Sequence, residues 1–381
     1  MEKTAYTQPD VHIAGERSGP LKGKTFAVKD VFHVEGIAST AGSPDWLRTH
    51  PPAVTTAPAL DVLLKAGASL QGLTVTDELM YSLHGENKHY GTPLNPLSPD
   101  SIPGGSSSGS ASAAASGDCD FAVGTDTGGS IRIPAAYCGL YGLRPTHGSI
   151  STAGLIPLAP SFDTVGFLSR DFNMLKQAAS LFYPEAEEEP ADVYLLQEAW
   201  DLAEDQQIIS DLAPLPARSG GLSLPHLQET FRIVQAAEIW KQHGSWVTQH
   251  QPAFGPGIKE RFDAASLISN EEAAEAIAER NALRDQLHQL IGQSVIIIPT
   301  APGAAPAKNL SPEQVDEIRS RSLQLCAIAG IGGLPQLTIP VKSAGRQISI
   351  SVIGAPGSEG SLFNWVRKHI SNDEQRLSIL L

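Results

Sequence analysis

Fourteen consecutive residues, Gly104 to Gly117, are all glycine, serine or alanine, and their flanks constrain what the chain can fold into more than any other feature. Taken alone, such a stretch describes a flexible linker between two folding units. Here it is followed within a few residues by the apolar Phe121-Ala122-Val123-Gly124, and then by a second glycine-rich turn, G-T-D-T-G-G-S-I-R, from Gly124 to Arg132. Two tight turns bracketing small residues predict a helix packed very closely in a core. Alanine and serine let neighbouring backbones approach, and glycine admits turn geometry that exposes amide N–H groups at a site.

The rest of the chain alternates short apolar segments with amphipathic ones, the habit of α/β folds. Phe26 to Val28, Ser69 to Val75, Phe121 to Gly124, Val295 to Ile298 and Ile348 to Ile353 are strand candidates. Ala57 to Ala68 reads as a helix with Leu60, Leu63 and Leu64 on it; Asn270 is a candidate cap for a helix running to Ile291 and stopping at Gly292; Ser358 to Ile370 reads as a closing helix. Gly332 and Gly333 with Pro335 mark a break. The expected fold is α/β, a mixed central β-sheet flanked by helices on both faces.

Length and charge narrow the function. With 381 residues, 41% hydrophobic and 18% charged, the chain has room for one large domain or two ordinary ones. No apolar stretch approaches the roughly 18 to 20 residues of a membrane span, and the polar start MEKTAYTQPDVH lacks the apolar region of a signal peptide, so neither membrane nor Sec export is expected. Cys119, Cys138 and Cys326 are too scattered for a disulfide framework or a thiolate zinc site, which points to a reducing cytoplasm. The net charge of −14 has the wrong sign for nucleic acid phosphates. Most of that charge lies between Asp171 and Gln289, where 20 acidic and 8 basic residues give −12. This region contains the acidic run Glu185 to Glu189 and the Pro- and Gly-broken stretch Ala213 to Pro225, and it reads as polar helices joined by loops with a solvated surface.

The chemistry is concentrated in the first 170 or so residues. The turn Thr127-Gly128-Gly129-Ser130 can present backbone N–H groups in one direction with a hydroxyl beside them, the parts of an oxyanion hole next to a nucleophile. A serine needs a base. None of the eleven histidines lies in either serine-rich turn, no G-x-S-x-G elbow is present, and His84 and His89 in H-G-E-N-K-H do not make an H-E-x-x-H zinc helix. The alternative base is a lysine kept neutral by desolvation. Lys29 ends the apolar run Phe26-Ala27-Val28, an expensive place for an unpartnered ammonium. No metal and no cofactor are expected.

These residues resemble the amidase signature family of serine amidohydrolases. The resemblance rests on Ala27-Val28-Lys29-Asp30, on P-G-G-S-S-S-G-S from Pro103 to Ser110, and on G-T-D-T-G-G-S-I-R-I-P from Gly124 to Pro134. It continues through C-G-L-Y-G-L-R-P-T at Cys138 to Thr146 and S-F-D-T-V-G at Ser161 to Gly166. The strong part covers about Leu21 to Asp171, and V-I-I-I-P-T-A-P from Val295 resembles a later core element more weakly. The resemblance implies a triad in which Lys29 is the lysine, Ser106 the bridging serine with a cis peptide bond, and Ser130 the nucleophile, the two serines being 24 positions apart. It implies an oxyanion hole from the amides of Thr127, Gly128, Gly129 and Ser130, and pocket-lining roles for Met80 and Tyr81. Asp126 and Arg132 are expected to be structural, pairing within the turn. One departure is Ser108, which stands where the family usually has glycine and is expected to tune the turn. The expected organisation is a single domain over 1–381, with a motif-bearing core at 21–171, a variable acidic helical region at 172–290 shaping the substrate pocket, and further core elements at 291–381.

Within the family, P-D-W-L-R-T-H from Pro44 to His50 and E-N-K-H-Y-G-T-P-L-N-P from Glu86 to Pro96 look like the plant-type indole-3-acetamide hydrolases. This implies a small aryl- or alkyl-acetamide as substrate and small-molecule partner, with indole-3-acetamide the leading named candidate. A homodimer is carried as an open expectation. Three other functions share the fold: a glutaminase subunit of an amidotransferase, a non-catalytic amidase-like binding module, and an esterase.

Overall fold

The computed structural model describes residues 5–183, 190–204, 215–343 and 346–369. Its strands are β1 (Tyr6–Ile13), β2 (Thr25–Lys29), β3 (Ser69–Thr74), β4 (Phe121–Asp126), β5 (Tyr141–Arg144), β6 (Thr164–Ser169), β7 (Val193–Leu196), β8 (Ala217–Arg218), β9 (Val295–Pro299), β10 (Gln336–Ser343) and β11 (Arg346–Ile353). Its α-helices are α1 (Pro44–Thr49), α2 (Pro58–Lys65), α3 (Ser108–Ser116), α4 (Arg132–Cys138), α5 (Phe172–Ala179), α6 (Gln197–Trp200), α7 (Leu224–His250), α8 (Ile258–Ser266), α9 (Asn270–Ile291), α10 (Pro312–Gly332) and α11 (Glu359–His369).

The strands form one mixed sheet in the order β1-β3-β2-β4-β6-β5-β10-β11-β9-β7-β8. The pairs β2/β3, β2/β4, β7/β8 and β7/β9 are parallel and the others antiparallel. Because side chains alternate along a strand, each central strand feeds two cores. Phe26, Val28, Phe121 and Val123 pack on one side with Leu60 and Leu63 of α2 and Leu175 of α5. Ala27 and Ala122 pack on the other with Ala111 and Ala113 of α3 and Ala135 of α4. Farther along the sheet, Val295 and Ile297 of β9 join the first core, while Ile296 and Ile298 meet Phe231 of α7, Leu287 of α9 and Leu325 of α10. Helices therefore cover both faces, as the sequence implies.

The small-residue run is a core helix and not a linker. Ala111, Ala113 and Ala114 of α3 are buried, and a side chain at Gly109 would strike the carbonyl oxygen of Ala5 and the backbone of Val75. The Ser108 hydroxyl donates to the Val75 carbonyl at 3.4 Å, inside the first turn.

The middle region contains the expected helices α7, α8 and α9, but it also supplies β7 and β8 at one sheet edge. The run Glu185 to Glu189 and the start of the Ala213 to Pro225 stretch lie outside the described residues, as does Ile370 at the end of the expected closing helix. Helix α9 is capped by Ser269 and not by Asn270: the Ser269 hydroxyl accepts from the Glu272 amide, and the Glu272 carboxylate accepts from the Ser269 amide, a reciprocal capping box. Among the described residues no helix is long and apolar enough to cross a membrane.

Candidate active site

Strand pairing brings the motifs together. Val28 of β2 sits beside Val123 of β4 in parallel register. Lys29, next along β2, therefore lies at the level of the residues leading into the second glycine-rich turn. Alternation puts it on the same face as Ala27, under α3. Ser106 precedes α3 by two residues, so the start of that helix delivers the serine to the end of the lysine strand.

The result is a continuous line of polar contacts. Lys29 Nζ lies 2.8 Å from Ser106 Oγ, and Ser106 Oγ lies 3.0 Å from Ser130 Oγ. The Gly105–Ser106 peptide bond is cis. Lys29 and Ser106 are fully buried, and Ser130 is 3% exposed. Burial pushes the Lys29 ammonium down to about 7 from its ordinary 10.5, against the opposing pull of Asp77, Asp126 and Asp163. A second partner, not singled out from sequence, is Thr125, whose Oγ1 is 2.8 Å from Lys29 Nζ. It belongs to the same glycine-rich motif, yet as a β4 residue its inward direction is visible only once the strand register is known.

Asp126 organises the turn that carries Ser130. Its carboxylate accepts from the amides of Gly129 at 2.9 Å, Ile131 at 3.0 Å and Arg132 at 3.2 Å. It also accepts from Arg132 Nε at 3.0 Å and Nη2 at 2.8 Å, and from Arg144 Nη1 at 3.0 Å. Burial alone would raise this carboxyl, but the two guanidiniums and the amides override it and hold Asp126 well below the usual carboxylate range. Arg144, pushed down by burial to about 10, also donates to the carbonyls of Asp126, Thr127 and Phe162. Thr127 is fixed from the side, its hydroxyl donating to Asp163 at 2.6 Å. Asp126 and Arg132 thus pair as expected, whereas Arg144 and Asp163, present in the quoted motifs, had no assigned part.

One expected oxyanion donor is already engaged. The Gly129 N–H points at Asp126, so of the four amides proposed to face an oxyanion it is the one with a partner inside the turn. Gly129 has φ +122°, and a Cβ there would come within 2.7 Å of the Cys326 sulfur. That conformation and that space suit glycine only.

A narrow pocket opens at Ser130, and Met80, Tyr81, Leu158, Gln235, Arg319 and Leu323 are among its walls. Met80 and Tyr81 are thus placed in the wall beside Ser130. The Met80 sulfur accepts from Thr125 Oγ1 at 3.6 Å, and the Tyr81 ring meets Phe262 edge-on at 5.3 Å. Gln235 and Arg319 come from α7 and α10, and no sequence motif marked them. The segments Pro44 to His50 and Glu86 to Pro96 contribute no wall to this pocket. Trp46 instead stacks on His50 and meets Trp246 at 5.0 Å, and Asn87 donates to the carbonyls of Gly42 and Thr76.

Known proteins share this chain's sequence motifs and fold. The family model described as Amidase matches residues 3–209. "Amidase 1" of Arabidopsis thaliana is 38% identical over 91% of this chain and 92% of its own length. "Amidase 1" of Oryza sativa subsp. japonica is 36% identical over 92% of this chain and 90% of its own. A solved structure titled "Crystal structure of amidase" superposes with a TM-score of 0.81 at 27% identity, covering 93% of this chain and 86% of that one. With the motifs, the sheet and the length of these relatives in agreement, the chain belongs to the amidase signature family and is an amide hydrolase.

Proposed function

We propose that Lys29, Ser106 and Ser130 are the catalytic residues and that the protein hydrolyses a small primary amide through an acyl-enzyme. The observation that carries this reading is the line of contacts at 2.8 and 3.0 Å from a buried lysine to a serine at the floor of a pocket. Neutral amine and hydroxyl both donate and accept, so the line can carry a proton either way. Ser130 Oγ attacks the amide carbonyl carbon; its proton moves to Ser106, and the Ser106 proton to Lys29 Nζ. The amides of Thr127, Gly128 and Ser130 receive the oxyanion. When the carbon–nitrogen bond breaks, the proton returns along the same line and ammonia leaves. Water then repeats the cycle on the Ser130 ester and releases a carboxylate. No step calls for a Lewis acid.

For the acyl group, we infer a small aryl- or alkyl-acetamide, with indole-3-acetamide as the named starting candidate. The segments Pro44 to His50 and Glu86 to Pro96 support that branch, and Gln235 of the 172–290 region supports a part for that region in shaping the pocket. Three buried free cysteines fit a reducing cytoplasm.

The test is Ser130→Ala together with a fluorophosphonate. Ammonia release from indole-3-acetamide, phenylacetamide, benzamide and short aliphatic amides is expected to fall by roughly 10⁴-fold or more in the variant, with an unchanged circular dichroism spectrum. The probe is expected to label Ser130 alone. Substantial residual turnover, or label on another residue, would sink the assignment.

A further inference from the structure

The pocket at Ser130 holds a guanidinium with nothing to bind. Arg319, on the α10 wall, forms neither a hydrogen bond nor an ion pair among the described residues, and its Nε is sealed from solvent. Asp316, one turn earlier on α10, and the Tyr81 phenol are the acidic groups near it, and neither pairs with it. Arg261 of α8 stands close by and donates to the Tyr81 carbonyl at 3.0 Å, again with no carboxylate partner. Arg232 of α7 adds a third positive charge, although Glu229 pairs with it. Arg232 and Arg261 both belong to the most acidic stretch of the chain, yet their charges converge here.

The pocket also continues. A second, narrow hollow shares Leu83 and Arg319 with the first and is walled by His84, Ile102, Ile133 and Tyr137. His84 Nε2 is buried there without a partner. Burial, then Arg261 and Arg319, push this imidazole down to about 4, so it is neutral and does not add to the charge. A buried polar nitrogen left unpaired is costly, and an unpaired guanidinium more so. Within a substrate pocket, the economical partner is the substrate itself.

Resting on the amidase reading, and narrowing its substrate class, we propose that Arg319 receives a carboxylate at the far end of the acyl chain, so that the preferred substrates are alkyl amides ending in a carboxylate, monoamides of short dicarboxylic acids. The guanidinium fork matches a carboxylate through paired N–H groups, and the neutral His84 imidazole supplies a further polar contact in the second hollow. The indole ring of indole-3-acetamide has an N–H donor and no acceptor for that fork.

Matched pairs decide the matter: succinamate against butyramide and glutaramate against valeramide, with indole-3-acetamide and phenylacetamide alongside. The carboxylate member of each pair is expected to exceed its neutral partner in kcat/KM by about 10- to 100-fold, mainly through KM. In Arg319→Gln that ratio is expected to fall towards one. In the Ser130→Ala background, calorimetric titration with succinamate reads binding without turnover, and adding Arg319→Gln should abolish it. In the unaltered protein, salt should raise KM for the carboxylate amides and not for the neutral ones, a readout independent of how any variant folds. Preference for neutral or indole amides, or a ratio that survives Arg319→Gln, overturns the proposal while leaving the amidase reading intact. Absence of turnover on every amide, with no label on Ser130, would instead count against the reading on which it rests.

Discussion

Two regions meet at Ser130 and differ in what their polar groups lack. Behind the serine, the Asp126 carboxylate accepts six hydrogen bonds, Arg132 and Arg144 close on it, and Thr127 is fixed by Asp163. In front of it, Arg319 and His84 line the pocket space with buried nitrogens that have no partner. The first region is saturated at its carboxylate, with Arg144 Nε left as a buried nitrogen without a partner, and it holds a shape. The second is completed from outside, which distinguishes a support from a binding surface.

Substitutions can break this comparison from either side. The largest effect is expected where the regions join, at Lys29. Lys29→Arg keeps a positive charge but cannot deprotonate, so turnover should fall by about 10³-fold, as steeply as in Lys29→Met. Near-normal rates in Lys29→Arg, measured by ammonia release, would mean the position needs only charge. Next is Asp126→Asn, which leaves two buried guanidiniums facing an amide. Urea unfolding should show a loss of about 3 to 5 kcal/mol, far more than any substitution on the pocket side. A loss within experimental scatter would mean that the support is not a support. A smaller effect is expected from Gly129→Ala, where positive φ and the Cys326 sulfur at 2.7 Å oppose a methyl group. It should cost about 1 to 3 kcal/mol in the same assay and lower kcat more than it changes KM, because it moves the serine and not the pocket.

The same division explains what was legible in the sequence. The support is nearly continuous in the chain: Gly124 to Arg132 contains the turn, its carboxylate and one guanidinium, so a motif reveals it. Lys29 could be suspected because a lysine ending an apolar run stands out chemically. Arg144 was hidden because β5 has only four residues and offers no alternation to read, and β6 because all six of its residues are buried. The pocket is discontinuous. Leu83, Gln235 and Arg319 come from a loop and from α7 and α10, and nothing local marks an arginine whose partner is absent from the chain. In α7, an acidic surrounding masked Leu227, Phe231 and Val234, which bury one face of a 27-residue helix. The α9 cap is a different case: the S-x-x-E pattern of Ser269 and Glu272 was present, and the adjacent Asn270 is an equally good capping residue type by composition alone.

The central claim is that a lysine made neutral by burial activates Ser130 through Ser106, and the pH dependence of kcat/KM tests it most directly. Protonated Lys29 cannot take a proton, and burial places its midpoint near about 7. The rate for a neutral amide should therefore climb along a single deprotonation limb as pH rises through that value and level off on the alkaline side. A neutral substrate such as butyramide keeps the pocket arginines out of the profile. A profile that is flat across that midpoint, or that falls as pH rises through it, would contradict a neutral lysine base.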